Sequence, residues 1–102
     1  MELITKNIDI KGNSIQAIQL KWSKSWIFII DAPKGSITCG SFDIEFLNKF
    51  GLSAAKIVPD PEDPAFTIDQ FIERKITHIN KAGEANGLKV NMSVLEAVER
   101  LL

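Results

Sequence analysis

The apolar and polar positions divide the chain into a strand-rich first part and a helix-rich second part. Apolar side chains recur mostly at every second position within residues 4–10 and 15–22, and they become continuous from Trp26 to Ile30. Recurrence with a period of two is typical of strands, and a short continuous apolar run is typical of a strand covered on both faces. We therefore predict a strand in each segment, with Trp26–Ile30 as the central strand of a sheet.

Short turns join these predicted strands. Residues 11–14 include a glycine that can take the positive φ of a hairpin, and residues 23–25 form the next turn. Residues 32–35 form a third turn, in which Pro33 fixes φ, and a fourth strand follows over residues 36–39. Strands joined by turns this short run antiparallel, so the sequence predicts a four-stranded antiparallel meander.

A helix is predicted directly after the fourth strand. Ser41 is its expected N-cap, Asp43 lies in its first turn, and Gly51 fits the left-handed position past its end. Apolar residues at three- and four-residue spacing predict its buried stripe. These residues are Phe42, Phe46, Leu47 and Phe50.

The next segment predicts one more strand and an irregular loop. Residues 54–58 read as a fifth strand that ends at Pro59. Residues 59–64 contain three prolines, which lack the amide donor that regular structure needs, so they are expected to form a loop. Thr67 and Gln70 then have the spacing of a capping box, which opens a second helix.

The last thirty residues leave one alternative open. Residues 75–79 fit either a continuation of the second helix or an extended break, after which Asn80 would cap a short helix ending at Gly87. A further capping box, Ser93–Glu96, opens the last helix.

Together the elements predict an α+β fold with a roughly five-stranded, mainly antiparallel sheet and three to four helices packed on one face. The 102 residues form a single domain, 1–102.

Charge, apolar run length and cysteine content indicate which partners and which cellular location to expect. A formal net charge of −1 provides no general attraction to nucleic acid or to an anionic membrane. The apolar runs are too short to span a bilayer, and the first residues lack the apolar core of a signal peptide. The single cysteine cannot form an internal disulfide. We expect a cytoplasmic protein without a nucleic-acid or membrane partner.

Cys39 is the candidate reactive residue, because it lies where a strand is predicted to meet a helix. The amides of Gly40 and Ser41 are placed to hold a thiolate or an oxyanion. The carboxylates of Asp43 and Glu45 oppose a thiolate, and free cysteine is among the most buried residue types. An inert, packed Cys39 is therefore the preferred interpretation, and a nucleophilic Cys39 is the alternative.

The other candidate residues have simpler interpretations. Asp43 is expected to complement the helix dipole, and its alternative role is that of a site carboxylate beside Cys39. His78 is expected to be structural rather than a base or ligand, and one histidine with one cysteine does not complete a zinc site. The acids of residues 60–63 lack the pattern of a calcium loop. No metal or cofactor is therefore predicted.

Two tryptophans alternate with lysines in the segment from Lys21 to Trp26, which is a pattern found in single-strand binding. Trp22 and Trp26 also continue the apolar faces of their strands, so core or subunit contact explains them better. Ile15, Ala17 and the two-sided strand Trp26–Ile30 suggest more apolar surface than one layer of helices can cover. We therefore predict a homo-oligomer.

Several short segments of the chain match the sequence pattern of a known family. They are Lys34–Gly35, Thr38–Asp43, Thr67–Asp69, Ala85–Val90, Met92 and Glu96–Ala97. Their order over residues 10–102 resembles the YunC-like family of small bacterial and archaeal proteins, a domain of unknown function. The chain departs from the family pattern at Asn91, where glycine is expected, and at Ser93–Val94. The resemblance implies an α+β domain and no established activity.

Two functions are consistent with this sequence. The preferred one is a non-catalytic oligomeric module with a small-ligand site at the Cys39–Asp43 turn, formed by Gly40, Ser41 and Asp43. The alternative is a small thiol-dependent enzyme in which Cys39 is the nucleophile and His78 or Asp43 assists. The distance between His78 and Cys39 distinguishes the two functions, since only the enzyme is expected to have His78 near Cys39.

Overall fold

The computed structural model describes all 102 residues and contains six strands and four helices. In chain order the elements are β1 (Glu2–Ile10), β2 (Asn13–Trp22), β3 (Ser25–Ala32), β4 (Gly35–Cys39), α1 (Ile44–Asn48), β5 (Ser53–Ile57), α2 (Ile68–Ile72), β6 (His78–Ile79), α3 (Lys81–Ala85) and α4 (Val94–Arg100). The strands form one sheet in the order β1-β2-β3-β4-β5-β6. No helix has both the length and the apolar character needed to cross a membrane.

The first four strands form the predicted antiparallel meander. Lys11 and Gly12, between β1 and β2, both have positive φ, of 48° and 80°. A two-residue turn of this kind matches the twist of the strands that it joins, so the predicted hairpin is confirmed. The fifth predicted strand is also present, but β5 runs parallel to β4, with α1 in the connection between them.

Residues 75–79 are extended rather than helical. The backbone N–H of Thr77 donates to the Lys56 carbonyl, and His78–Ile79 then pairs with β5 as a short sixth strand. The second helix therefore ends at Ile72. The predicted caps are present: the side chains of Thr67 and Ser93 accept hydrogen bonds from the N–H groups three residues later.

The main core lies between one face of the sheet and helices α2 and α4. Alternate residues of the strands, such as Ala17, Phe28 and Ile30, point into it because side chains alternate between the two faces of a strand. From the helices, Phe71 and Val98 complete the same cluster. Ile27 and Ile29 point to the other face and are only half-buried.

The prediction that β3 is covered on both faces was wrong for the single chain. The strand with both faces buried is β5, where Ala54, Ala55 and Ile57 are all buried. The reason is that α1 joins two neighbouring parallel strands, β4 and β5, and packs mainly on β5. Ile44 of α1 is buried outside the main core, as is Ala54, so α1 packs on the face opposite α2 and α4, and the prediction that the helices pack on one face was wrong.

The buried stripe predicted for the first helix was also wrong. Phe46 and Phe50 are 54% and 66% exposed, and Ile44 supplies the buried contact. The N-cap is Asp43 rather than Ser41, because the chain first turns after β4 through a bond from the Phe42 N–H to the Cys39 carbonyl. The helix is only five residues long, so it buries one side chain instead of a stripe.

Asn80 ties three elements together. Its Oδ1 accepts hydrogen bonds from the N–H groups of Ala54, 3.0 Å away, and Gly83, 2.8 Å away. Its Nδ2 donates to the carbonyls of Ile44 and Leu52, both at 2.9 Å. The side chain is 1% exposed. The predicted cap of α3 is thus correct, and the same side chain also fixes α1 against β5.

Candidate functional site

A cleft of about 650 Å³ opens at the carboxyl end of β4. Because β4 and β5 are parallel, the loops that follow them leave the sheet at the same edge, and these loops form two sides of the cleft. Cys39, Gly40 and Ser41 come from the end of β4 and the loop after it, and residues 57–60 come from the end of β5 and the loop after it. The volume lies within the range of small-molecule sites.

Aromatic side chains form the inner wall of the cleft. The rings of Phe28 and Phe71 stack with centroids 4.7 Å apart, and Trp26 packs against Phe66 at 5.3 Å. The indole Nε1–H of Trp26 donates to the Ala65 carbonyl at 2.9 Å, which fixes the ring's orientation. The wall is therefore formed before any ligand arrives.

The proline-rich loop is held in place by side chains from the rest of the fold. Besides the indole of Trp26, Gln19 donates to the Phe66 carbonyl at 2.9 Å. Arg74 donates to the carbonyl of Asp63 at 2.8 Å and to its carboxylate at 3.2 Å. Asp60 accepts a hydrogen bond from the Glu62 N–H. The carboxylates of Asp60 and Asp63 are thus used locally, and no group of three or more His, Cys, Asp or Glu converges on a common point.

Cys39 is half-buried and lines the cleft. Its Sγ accepts a hydrogen bond from the Phe28 N–H at 3.5 Å. Cys39 pairs with Ile57, whereas the next residue back along β5, Lys56, pairs with His78. Neighbouring residues of a strand point to opposite faces, so His78 projects from the face opposite Cys39.

His78 is therefore not a partner for the thiol. It is exposed, and its Nδ1 lies 2.8 Å from the hydroxyl of Thr77. The predicted ligand residue Asp43 is also outside the cleft lining, because its carboxylate caps α1 by accepting from the N–H groups of Glu45 and Phe46. Of the predicted site residues, the structure brings together Cys39, Gly40 and Ser41.

Gly40 allows the two loops to meet closely. A Cβ at this position would come within 3.2 Å of Pro59 Cδ and 3.3 Å of Val58 Cα. Ser41, next along the turn, is exposed, and neither its N–H nor its hydroxyl forms a hydrogen bond within the chain. The turn therefore presents polar hydrogen-bonding groups beside the aromatic wall.

Several residues of the cleft were not predicted as site residues. Lys24 and Trp26 belong to the tryptophan–lysine pattern, for which core or subunit contact is the better explanation from sequence. Phe71, Arg74 and Lys75 also line the cleft. The sequence contains no local signal for them, because their approach to β3 depends on how α2 packs across the sheet.

The chain is similar in sequence to a known protein family. Residues 38–101 match the family model described as "Domain of unknown function (DUF1805)". The chain belongs to this family. It is 30% identical over 95 residues to the "Uncharacterized protein YunC" of Bacillus subtilis (strain 168), covering 93% of both chains. The YunC-like resemblance of the sequence is thereby confirmed.

The fold is similar to that of a solved structure. The crystal structure of a protein of unknown function, TA1206 from Thermoplasma acidophilum, is similar with a TM-score of 0.84 and 19% sequence identity. The similarity covers 99% of this chain and 94% of that one. The α+β fold with a mixed six-stranded sheet therefore occurs in a solved structure. The DUF1805 match includes the Cys39–Ser41 turn but begins after Trp26 and Phe28.

Proposed function

We propose that this DUF1805 protein is a non-catalytic module that binds a small organic molecule in the cleft beside Cys39 and assembles as a homo-oligomer. The observation that carries the ligand proposal is the cleft itself: about 650 Å³, with an aromatic wall fixed by Trp26 and Phe28. Apolar concave sites with a few placed polar groups are typical of small-molecule sites. Gly40 and Ser41 supply the turn expected to face the ligand.

The thiol-dependent enzyme is the weaker proposal. A nucleophilic cysteine needs a general base or a cationic group within hydrogen-bond reach. His78 lies on the other face of the sheet, and Asp43 is occupied as a helix cap. The basic side chains that line the cleft form no hydrogen bond to the sulfur, whose partner is the Phe28 N–H. Cys39 is therefore assigned to the lining of the binding site.

Ligand binding is testable with the neutral fluorescent probe N-phenyl-1-naphthylamine. In a Trp22→Phe background, Trp26 is the only tryptophan, so we expect the probe to quench its emission by energy transfer. Ala65→Phe places a larger side chain in the cleft and should weaken binding by about tenfold or more. Bound probe should also slow the alkylation of Cys39 by iodoacetamide.

The matched control for this experiment is Ala85→Phe, which adds the same group to an exposed position of α3 outside the cleft. This variant should bind the probe as the parent does. Equal affinity of the parent and Ala65→Phe, or alkylation of Cys39 at the same rate with and without the probe, would contradict binding in the cleft.

Ile15 and Ala17, on which the sequence-based prediction of a homo-oligomer depended, are buried in the main core, so the proposal rests instead on the opposite face of the sheet. Leu20 pairs with Leu3 on one side and with Ile27 on the other, and Ile18 pairs with Ile29. These five apolar side chains point away from the core and are exposed or half-buried. We call them the open face. A contiguous apolar face of this kind is typical of a surface that a second subunit covers.

Self-association is testable by size-exclusion chromatography with light scattering. The parent should have a molecular mass corresponding to two or more chains. Leu3→Lys/Trp22→Lys places two charges at exposed positions, 62% and 38% accessible, on the same side of the sheet. Because burying an unpaired ammonium is costly, this variant should elute as a monomer.

The control variant is Val90→Lys/Leu95→Lys, which changes two exposed apolar residues elsewhere on the surface. It should keep the parent's mass. A parent that is monomeric, or a control that dissociates as fully as the open-face variant, would refute assembly through this face.

A further inference from the structure

Charge is distributed unevenly around the cleft. Three basic side chains line it, from Lys24, Arg74 and Lys75, against the single carboxylate of Asp60, although the chain as a whole has a formal net charge of −1. We infer that the cleft selects an amphipathic organic anion, with a flat apolar body and a carboxylate, sulfonate or phosphate group. This inference rests on the proposed function and assigns its ligand class.

The three basic side chains are not equivalent. Arg74 is engaged by the carbonyl and carboxylate of Asp63, so its guanidinium mainly holds the proline-rich loop. Neither Lys24 nor Lys75 forms an ion pair within the chain. These two ammonium groups are therefore the ones free to attract an anionic group.

The polar groups near the aromatic wall favour an acceptor on the ligand. Trp26 donates its indole N–H to the Ala65 carbonyl, so the ring offers mainly its apolar surface to the cleft. Ser41 has an N–H and a hydroxyl without partners in the chain. Asp60 is the one opposing carboxylate, and it already accepts the N–H of Glu62. Ser41 therefore offers free donors to an anion, and Asp60 is the one carboxylate that opposes it.

The experiment compares two dyes of similar shape. 8-Anilinonaphthalene-1-sulfonate carries a sulfonate, and N-phenyl-1-naphthylamine is its neutral counterpart. In Lys24→Gln/Lys75→Gln, we expect the sulfonate dye to bind about three- to tenfold more weakly, since each exposed charge contributes modestly. The neutral dye should bind unchanged. Added salt should weaken only the sulfonate dye, because salt screens exposed charges.

The matched control is Lys49→Gln/Lys89→Gln, which removes two exposed charges outside the cleft lining. It should bind both dyes as the parent does. Unchanged sulfonate binding in Lys24→Gln/Lys75→Gln, an equal loss in the control, or an equal loss of the neutral dye would overturn the inference. If the neutral dye still binds in a manner sensitive to Ala65→Phe, the proposed function stands. Failure of both dyes to bind the parent overturns both proposals.

Discussion

Replacing Asn80 with alanine is expected to lower the free energy of unfolding by more than about 4 kcal/mol, because each buried backbone group left without a partner costs about 1–3 kcal/mol. Three buried groups depend on this side chain, namely the N–H groups of Ala54 and Gly83 and the carbonyl of Ile44, and the partly buried carbonyl of Leu52 is a fourth group that it bonds. Domains of this size are stable by only about 5–15 kcal/mol. Urea unfolding followed by circular dichroism measures the loss.

Ser93→Ala is the control for the Asn80 prediction. Ser93 also caps a helix, but its hydroxyl accepts one backbone N–H, from Glu96, at the start of α4. Loss of a cap alone costs about 1 kcal/mol. If Asn80→Ala costs no more than Ser93→Ala, the network that joins α1, β5 and α3 contributes nothing beyond a cap, and the role assigned to Asn80 is wrong.

Gly35→Ala is expected to destabilise the protein by about 3 kcal/mol, at the upper end of typical overpacking costs. A Cβ at Gly35 would lie 2.3 Å from the Ser53 carbonyl oxygen and 2.8 Å from Ser53 Cβ. The oxygen belongs to backbone, so the two strands must separate to make room. Gly35 and Ser53 form the first pair between β4 and β5, and the displacement should reach the cleft at the other end of both strands. Weaker binding of the neutral dye should accompany the loss of stability.

Gly51→Ala separates steric from conformational cost. Gly51 has φ of +72°, but a Cβ added at this position would have no atom within 4 Å apart from those of its chain neighbours. A left-handed alanine costs about 1–2 kcal/mol and should not disturb the β4–β5 pair. Chemical denaturation of both variants ranks them, and a Gly35→Ala variant as stable as the parent would show that the strands do not approach as closely as the structure indicates.

Local features of the fold were predictable because few residues determine them. The glycine turn at Lys11–Gly12 needs only residues that tolerate positive φ, and the caps at Thr67, Asn80 and Ser93 need only a side-chain oxygen in reach of nearby N–H groups. These features lie within four residues of sequence. The same holds for the four-stranded meander, whose short turns leave no other pairing.

The wrong predictions concern which face of an element is buried, because that depends on contacts with segments distant in sequence. Phe46 and Phe50 have helical spacing with Leu47, but Ile44 is the side chain that α1 buries. The apolar run of β3 reads as doubly covered, yet within one chain only the face containing Phe28 and Ile30 is buried. The spacing of apolar residues in a helix shows which side chains share a face. It does not determine which face packs against the sheet.

The sequence by itself determined the meander, the caps of α2, α3 and α4, the α+β class and the family resemblance, because these depend on short-range pattern and composition. It also directed attention to the turn at Cys39. Only the tertiary structure decided that Trp26, Ser41 and Arg74 surround one cleft and that His78 lies on the opposite face from Cys39. The physical reason is that the parallel β4–β5 pair joins residues 18 positions apart and the stacking of Phe28 on Phe71 joins residues 43 positions apart, and no local pattern encodes contacts at such separations.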